Sequence, residues 1–181
     1  MAQVESLIAR VVQARSQVLD AVLGVSPHQD AWKPAPTEWA IAECVEHLVV
    51  AEQGGVSGTW AAVEGLRAGN PVSKGEPMHR GLTIEEVVRR TWAPDQQAPD
   101  RALPLRGGPL SYWAAALENS QRLVDRLGVL LVGMDLETVI FPHAVSGPLD
   151  ASQRLAFLRF HLDLHRKQIE AIRLDPRFGS S

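Results

Sequence analysis

The sequence has a single cysteine, Cys44, so it cannot form an intrachain disulfide bond. This agrees with a reducing compartment, and it excludes the disulfide-rich class of small secreted domains. Cys44 lies within an apolar helical pattern, which favours an inert, packed thiol over a nucleophile. We therefore assign no chemistry to it.

Long hydrophobic runs and an excess of positive charge are also missing. The longest apolar stretches, such as residues 127–134, are far shorter than the roughly 20 residues that a membrane helix needs, and the N-terminus lacks a basic region followed by an apolar one. The net charge is −3, with Lys and Arg scattered among Asp and Glu, so no basic patch suits phosphate backbones. We expect a cytoplasmic protein that binds neither membranes nor nucleic acid.

The composition that remains is that of an ordinary globular protein. The 181 residues are 45% hydrophobic and 22% charged, which predicts one domain over residues 1–181 with a core of about 4–172. No stretch alternates apolar and polar residues for long, so we expect no strands. The fold class predicted is all-α.

Four long segments have apolar residues at helical spacing. The predicted helices cover residues 4–23, 40–67, 110–131 and 150–172, and a capping box at Thr83 and Glu86 predicts a short helix as far as Trp92. Gly54, Gly55 and Gly58 in the second helix predict a bend or the close approach of a neighbouring helix. Residues 93–109 contain four prolines and a Gly-Gly pair, which predicts a long crossing connection without a regular element. Loops of that length are often functional.

Two histidines on the last helix suggest a metal site. His161 and His165 stand four residues apart, so both imidazoles project from one face of the helix. Zn²⁺ and similar ions take imidazole nitrogens, commonly with three protein ligands and water at a catalytic site. His47, beside the apolar side of the second helix, is the natural third ligand. The alternative is that these histidines are ordinary core or surface residues.

Two motifs at opposite ends of the chain resemble the DinB/YfiT-like superfamily. Residues 31–48 read AWKPAPTEWAIAECVEHL, and the end of the chain has GPLD at 147–150 followed by His161-xxx-His165-xx-Gln168-Ile169. The resemblance implies an up-and-down four-helix bundle with an additional short helix, often a homodimer. It also implies one divalent metal ion bound by His47, His161 and His165. Ala40 stands where relatives have a Ser or Thr N-cap, which costs the helix start about 1 kcal/mol.

Two further residues are candidates for a catalytic role. Glu43 lies one turn before His47 and could act as general base or orient that histidine; a solvated glutamate of the first turn is the alternative. His143 precedes the last helix in a loop where similar sequences often have a histidine. It could contact substrate or shuttle a proton, or be a solvated loop residue.

The remaining histidines and the tryptophans are assigned no catalytic role. His28 and His79 lie in polar loops and are interpreted as spectators, whereas Gln168 could support His165. The tryptophans are expected to pack the core or the bundle end; they are Trp32, Trp39, Trp60, Trp92 and Trp113.

Relatives in this superfamily include transferases that attach low-molecular-weight thiols, such as bacillithiol or mycothiol, to electrophiles. The resemblance therefore implies a metal-dependent enzyme with a small-molecule substrate, either a thiol S-transferase or a hydrolase. The alternative is a non-catalytic metal-binding stress-response protein or a dimerising scaffold. Zn or Ni is the metal expected, and three imidazoles would also suit Fe, Mn or Cu.

Overall fold

The computed structural model describes residues 2–73 and 78–178. It contains five α-helices: α1 (Ala2–Val22), α2 (Ile41–Arg67), α3 (Ile84–Thr91), α4 (Leu110–Leu131) and α5 (Ala151–Leu174). The predicted all-α class is confirmed, and each helix begins and ends within a few residues of its predicted bounds. Among the described residues, no helix is both long and apolar enough to span a bilayer.

The four long helices pack as a bundle with α1 and α2 at opposite corners. Each of these two helices packs against both α4 and α5. The inward-facing apolar positions that share the core include Val11, Val18, Leu48, Leu117, Leu127, Leu155, Leu162 and Ile169, all at most 1% exposed. Because α2 and α5 are direct neighbours, side chains from these two helices can meet inside the bundle.

Side chains at the helix starts explain where the helices begin. Asp150 accepts a hydrogen bond from the Gln153 backbone N–H at 2.8 Å, and the Gln153 side chain accepts one from the Asp150 N–H at 3.3 Å. This reciprocal pair fixes the start of α5. At α2 only half of such a box exists, because Ala40 has no side-chain acceptor and only Glu43 reaches back, to the Ala40 N–H, at 2.8 Å.

The prediction that the chain has no strands is wrong. β1 (Ile140–His143) and β2 (Gly147–Asp150) form an antiparallel hairpin, with His143 opposite Gly147. Gly147 has a φ of +73°, a conformation that glycine adopts readily. Strands of four residues are too short to show a clear period-two pattern, which is why they were not predicted.

The hairpin explains a glycine of α2. This helix is continuous over its 27 residues, and a side-chain Cβ at Gly58 would lie 2.1 Å from the Phe141 ring. The close approach that the glycines predicted is therefore present, although the neighbour is a strand residue and not a helix.

The connection from 93 to 109 is more ordered than its prolines predicted. Asp100–Ala102 forms a short 3-10 helix, so the expectation of no regular element is wrong. The buried Glu46 carboxylate accepts hydrogen bonds from the backbone N–H groups of Arg106 at 2.6 Å and Gly107 at 3.0 Å. This anchor holds the connection against α2.

Candidate metal centre

Three histidine side chains converge between α2 and α5. The His161 Nε2 lies 3.0 Å from the Nε2 of His47 and 3.1 Å from the Nε2 of His165. One ring nitrogen from each residue lies within 4.8 Å of the other two, and the residues are only 3 to 8% exposed. The structure thus brings together the three histidines that the sequence indicated.

Hydrogen bonds at the far side of two rings set their orientation. The His47 Nδ1–H donates to the Ala102 carbonyl oxygen at 2.6 Å, and the His165 Nδ1–H donates to the Gln168 side-chain oxygen at 2.9 Å. In neutral imidazole, a proton on Nδ1 leaves a lone pair on Nε2. Both of these Nε2 lone pairs therefore face His161.

This arrangement suits a cation better than it suits hydrogen bonding. The His161 Nε2 has at most one proton, so it can donate to only one of its two neighbours, and the other contact is between two lone pairs. A tetrahedral ion with bonds of about 2.0–2.1 Å places its ligand nitrogens about 3.3 Å apart, close to the separations found here. The residues present therefore fit a borderline divalent metal ion.

Burial keeps these imidazoles in the form that binds metal. Desolvation is the main cause that lowers the pKa of all three. The pKa of His165 falls to about 3, with the charge of His47 adding to the effect of burial, and the pKa of His161 falls well below 6.5. At neutral pH all three are uncharged, so a metal ion need not displace a proton.

The cluster opens onto a cavity of about 730 Å³. Apolar residues form much of its wall, including Trp39, Trp92, Phe141, Phe157 and Leu158. The Trp39 ring packs on His47 and His165, with centroid distances of 4.7 and 5.9 Å. Trp39 and Trp92 were expected only to pack the bundle. Both lie just outside a helix, where no periodic pattern distinguishes a packed tryptophan from one that lines a cavity.

Glu43 is not brought to the histidines. One carboxylate oxygen accepts the Ala40 N–H at 2.8 Å and the other pairs with the Lys33 Nζ at 2.7 Å. The orienting contact to His47 that we considered for Glu43 comes instead from the Ala102 carbonyl. The Glu43 carboxylate thus caps the start of α2 by accepting a backbone N–H there.

His143 does line the cavity, and its environment fixes its hydrogen-bonding role. Its Nδ1 accepts hydrogen bonds from the backbone N–H groups of Val145 and Ser146, at 3.2 and 3.0 Å. Burial, followed by the charges of Arg154 and Arg101, lowers its pKa to about 4. The neutral ring therefore has its proton on Nε2 and offers the cavity a donor, which fits a substrate contact better than a general base.

The two remaining histidines lie outside the cavity. His28 is exposed, as a spectator should be. His79 is buried, and its Nε2–H donates to the Ser146 carbonyl oxygen at 2.7 Å, so it ties the segment before α3 to the hairpin.

The bundle and its site define a class: helical proteins with a three-histidine cluster formed by the second and the last long helix, at the wall of a cavity. The model of the DinB superfamily matches residues 10–169, and the chain belongs to that superfamily. The family resemblance of the two sequence motifs is thereby confirmed. Comparison with curated proteins and with solved structures gives no significant match.

Proposed function

We propose that this chain is a metal-dependent enzyme of the DinB superfamily that joins a low-molecular-weight thiol to an electrophilic small molecule. In this proposal His47, His161 and His165 hold one divalent ion, Zn or Ni in preference to Fe, Mn or Cu. The observation that supports it best is the convergence of three buried Nε2 atoms at the wall of a cavity of about 730 Å³.

The number of ligands favours catalysis over a purely structural ion. Structural zinc sites usually have four protein ligands, whereas catalytic sites keep one position for water or substrate. Among the described residues, the cluster consists of three histidines with no further carboxylate or thiol. Three ligands beside a cavity leave a position where a substrate atom can bind.

A bound divalent ion would supply Lewis-acid chemistry, lowering the pKa of a thiol or of water at that position. The residues of the chain do the rest. Ala102 and Gln168 hold two of the imidazoles in the required tautomer, Trp39 covers their rings, and the apolar wall offers a surface for the apolar part of a substrate. In the transfer, the thiolate sulfur forms a bond to carbon, the leaving group departs with its electron pair, and the thiol proton goes to solvent.

Elemental analysis of untagged protein, purified without added metal, tests the metal site first. We expect about one equivalent of metal in the wild type and in His28→Ala, which removes an exposed histidine, and almost none in His47→Ala or His161→Ala. A folded wild type that contains no metal and cannot be loaded would contradict the proposal.

An activity assay then separates enzyme from metal-binding scaffold. The metal-loaded protein is mixed with bacillithiol, mycothiol or cysteine and 1-chloro-2,4-dinitrobenzene, and thioether formation is followed by absorbance. Acceleration that disappears with chelator and in His161→Ala supports a transferase. Stoichiometric metal without any acceleration over this panel would favour the non-catalytic alternative, a stress-response protein or a dimerising scaffold.

A further inference from the structure

A second feature of the cavity is a buried arginine without a counterion. Arg154, in the first turns of α5, is 7% exposed and lines the cavity. Its Nη2 donates to the Pro142 carbonyl oxygen at 3.0 Å, its Nε has no acceptor, and its guanidinium lies 4.9 Å from the centre of the Phe141 ring. Among the described residues no carboxylate pairs with it. Buried charges are costly without such a partner.

The other buried arginine of the described chain shows the usual arrangement. Arg15 is 3% exposed, and its Nη2 contacts the Glu52 carboxylate at 2.5 Å. Arg15, which does not line the cavity, thus has a carboxylate counterion, although its Nε and Nη1 have no acceptor. The absence of one beside Arg154 suggests that its partner is a ligand.

Other groups around the cavity add to the positive character of its wall. Arg101 and Lys167 also line it, and Glu38 is the one carboxylate residue among the described lining residues. The net charge of the whole chain is −3, so the cavity differs in sign from the protein around it. Burial, with the charge of Arg101, lowers the pKa of Arg154 only to about 10, and the guanidinium stays cationic at neutral pH.

We propose that Arg154 binds a carboxylate of the substrate, assisted by Arg101 and the Nε2–H of His143, while an apolar part of the molecule lies against Phe157 and Leu158. A planar guanidinium matches the two oxygens of a carboxylate. The inference extends the proposed function by naming its substrate class, a small carboxylic acid. The anion site itself does not need the metal.

Matched acid and amide probes test the charge requirement. Binding of phenylacetate, hexanoate and benzoate to the full chain is measured by calorimetry, with the corresponding primary amides as uncharged controls, on metal-free and on metal-loaded protein. We expect at least one carboxylate to bind about tenfold or more tightly than its amide in both forms, because a charge-assisted hydrogen bond to arginine is lost in the amide. If no carboxylate binds better than its amide, the proposal is overturned.

Substitutions then assign the effect to Arg154. Arg154→Met should weaken carboxylate binding about tenfold or more. Arg154→Lys, which keeps the charge but loses the planar pair of donors, should retain only part of the binding. Arg122→Met, which changes an exposed arginine of α4 outside the cavity, should change nothing. Undiminished binding in a folded Arg154→Met protein would contradict the proposal. Arg101→Met, at an exposed position of the same wall, supplies a test free of folding effects, with a several-fold loss expected and no loss counting against the inference.

Two controls separate the alternatives. Inorganic phosphate should compete at least tenfold less well than the best carboxylate, and equal competition would overturn the assignment to a carboxylate. Metal content is measured on every variant. One equivalent of metal in Arg154→Met with weakened carboxylate binding supports this inference, whereas a metal-free wild type that still binds carboxylates would refute only the proposed function.

Discussion

The His47 Nδ1–H donates a hydrogen bond to the Ala102 carbonyl oxygen at 2.6 Å, although Ala102 lies 55 positions further along the chain. This contact joins a candidate metal ligand on α2 to the 3-10 helix of the 93–109 connection. Hydrogen bonds of this kind fix the tautomer and ring direction of metal-binding histidines. The connection therefore orients a candidate metal ligand, although none of its own side chains is a candidate to bind the metal.

Loosening the anchor of that connection should weaken metal binding. Glu46→Ala removes the acceptor of the Arg106 and Gly107 N–H groups, so Ala102 is no longer held against His47. We expect metal affinity to fall several-fold, less than the roughly 10- to 100-fold that follows removal of a direct partner of a metal ligand. Competition with a chelating dye measures it, and Glu64→Ala, an exposed glutamate of the same helix, is the matched control. Equal affinity in both variants would contradict the role of the connection.

Two glycines of α2 should respond in opposite directions to the same substitution. At Gly58 a methyl group would overlap the Phe141 ring, whereas at Gly54 it would meet nothing within 4 Å. Gly58→Ala should lower the free energy of unfolding by about 1–3 kcal/mol through overpacking. Gly54→Ala should raise it by up to about 1 kcal/mol through helix propensity. Urea unfolding of both proteins checks the pair, and equal effects would argue against the Phe141 contact.

His143 should make the stability of the protein depend on pH. Its pKa is about 4 in the folded state against 6.5 for an unperturbed histidine, so between these values the unfolded chain binds a proton that the folded protein does not. The contribution of His143 to the free energy of unfolding is fully present above pH 6.5. It is lost as the pH falls toward 4, at about 1.4 kcal/mol per pH unit for one proton.

The test compares urea unfolding of metal-free wild type and His143→Asn between pH 7 and pH 4. Both proteins share the other buried histidines. A plot of the free energy of unfolding against pH should therefore be steeper for the wild type, by the slope that corresponds to about one bound proton. Parallel curves would show that His143 has an ordinary pKa.

Cys44 should be inert in the folded protein. It is 0% exposed, and burial, with a smaller contribution from the charge of Glu43, raises the pKa of its thiol to about 12. Because the thiolate is the reactive form, a disulfide reagent at pH 8 should modify one thiol in urea and almost none in buffer. Rapid labelling of native protein would contradict both the burial and the raised pKa.

The features of the fold and of the site that could be predicted from the sequence are those with a local sequence pattern. Helical spacing predicted α5, and the spacing of His161 and His165 predicted that their rings would share one face. His47 was named as the third ligand because it lies beside the apolar side of the second helix, and the family motif supported that choice; periodicity alone does not predict that it meets α5.

The parts that were missed depend on distant backbone contacts. The carbonyl of Ala102 has no sequence signature, so the residue considered for orienting His47 was Glu43, one helical turn before it. The hairpin likewise consists of two strands of four residues, stabilised by packing of Phe141 against Gly58. Arg154 looks like any helix residue in the sequence, and only its burial without a carboxylate distinguishes it.

The order of the ligands along the chain affects how the site comes into being. His47 and His161 are 114 positions apart, and α5, which provides two of the three imidazoles, also packs against α1 and α2. Bringing these two residues together closes a loop of more than a hundred residues, which is slow compared with forming a helix. An ion that binds all three histidines would therefore require α2 and α5 to be packed together first, and its binding would report that the bundle has closed.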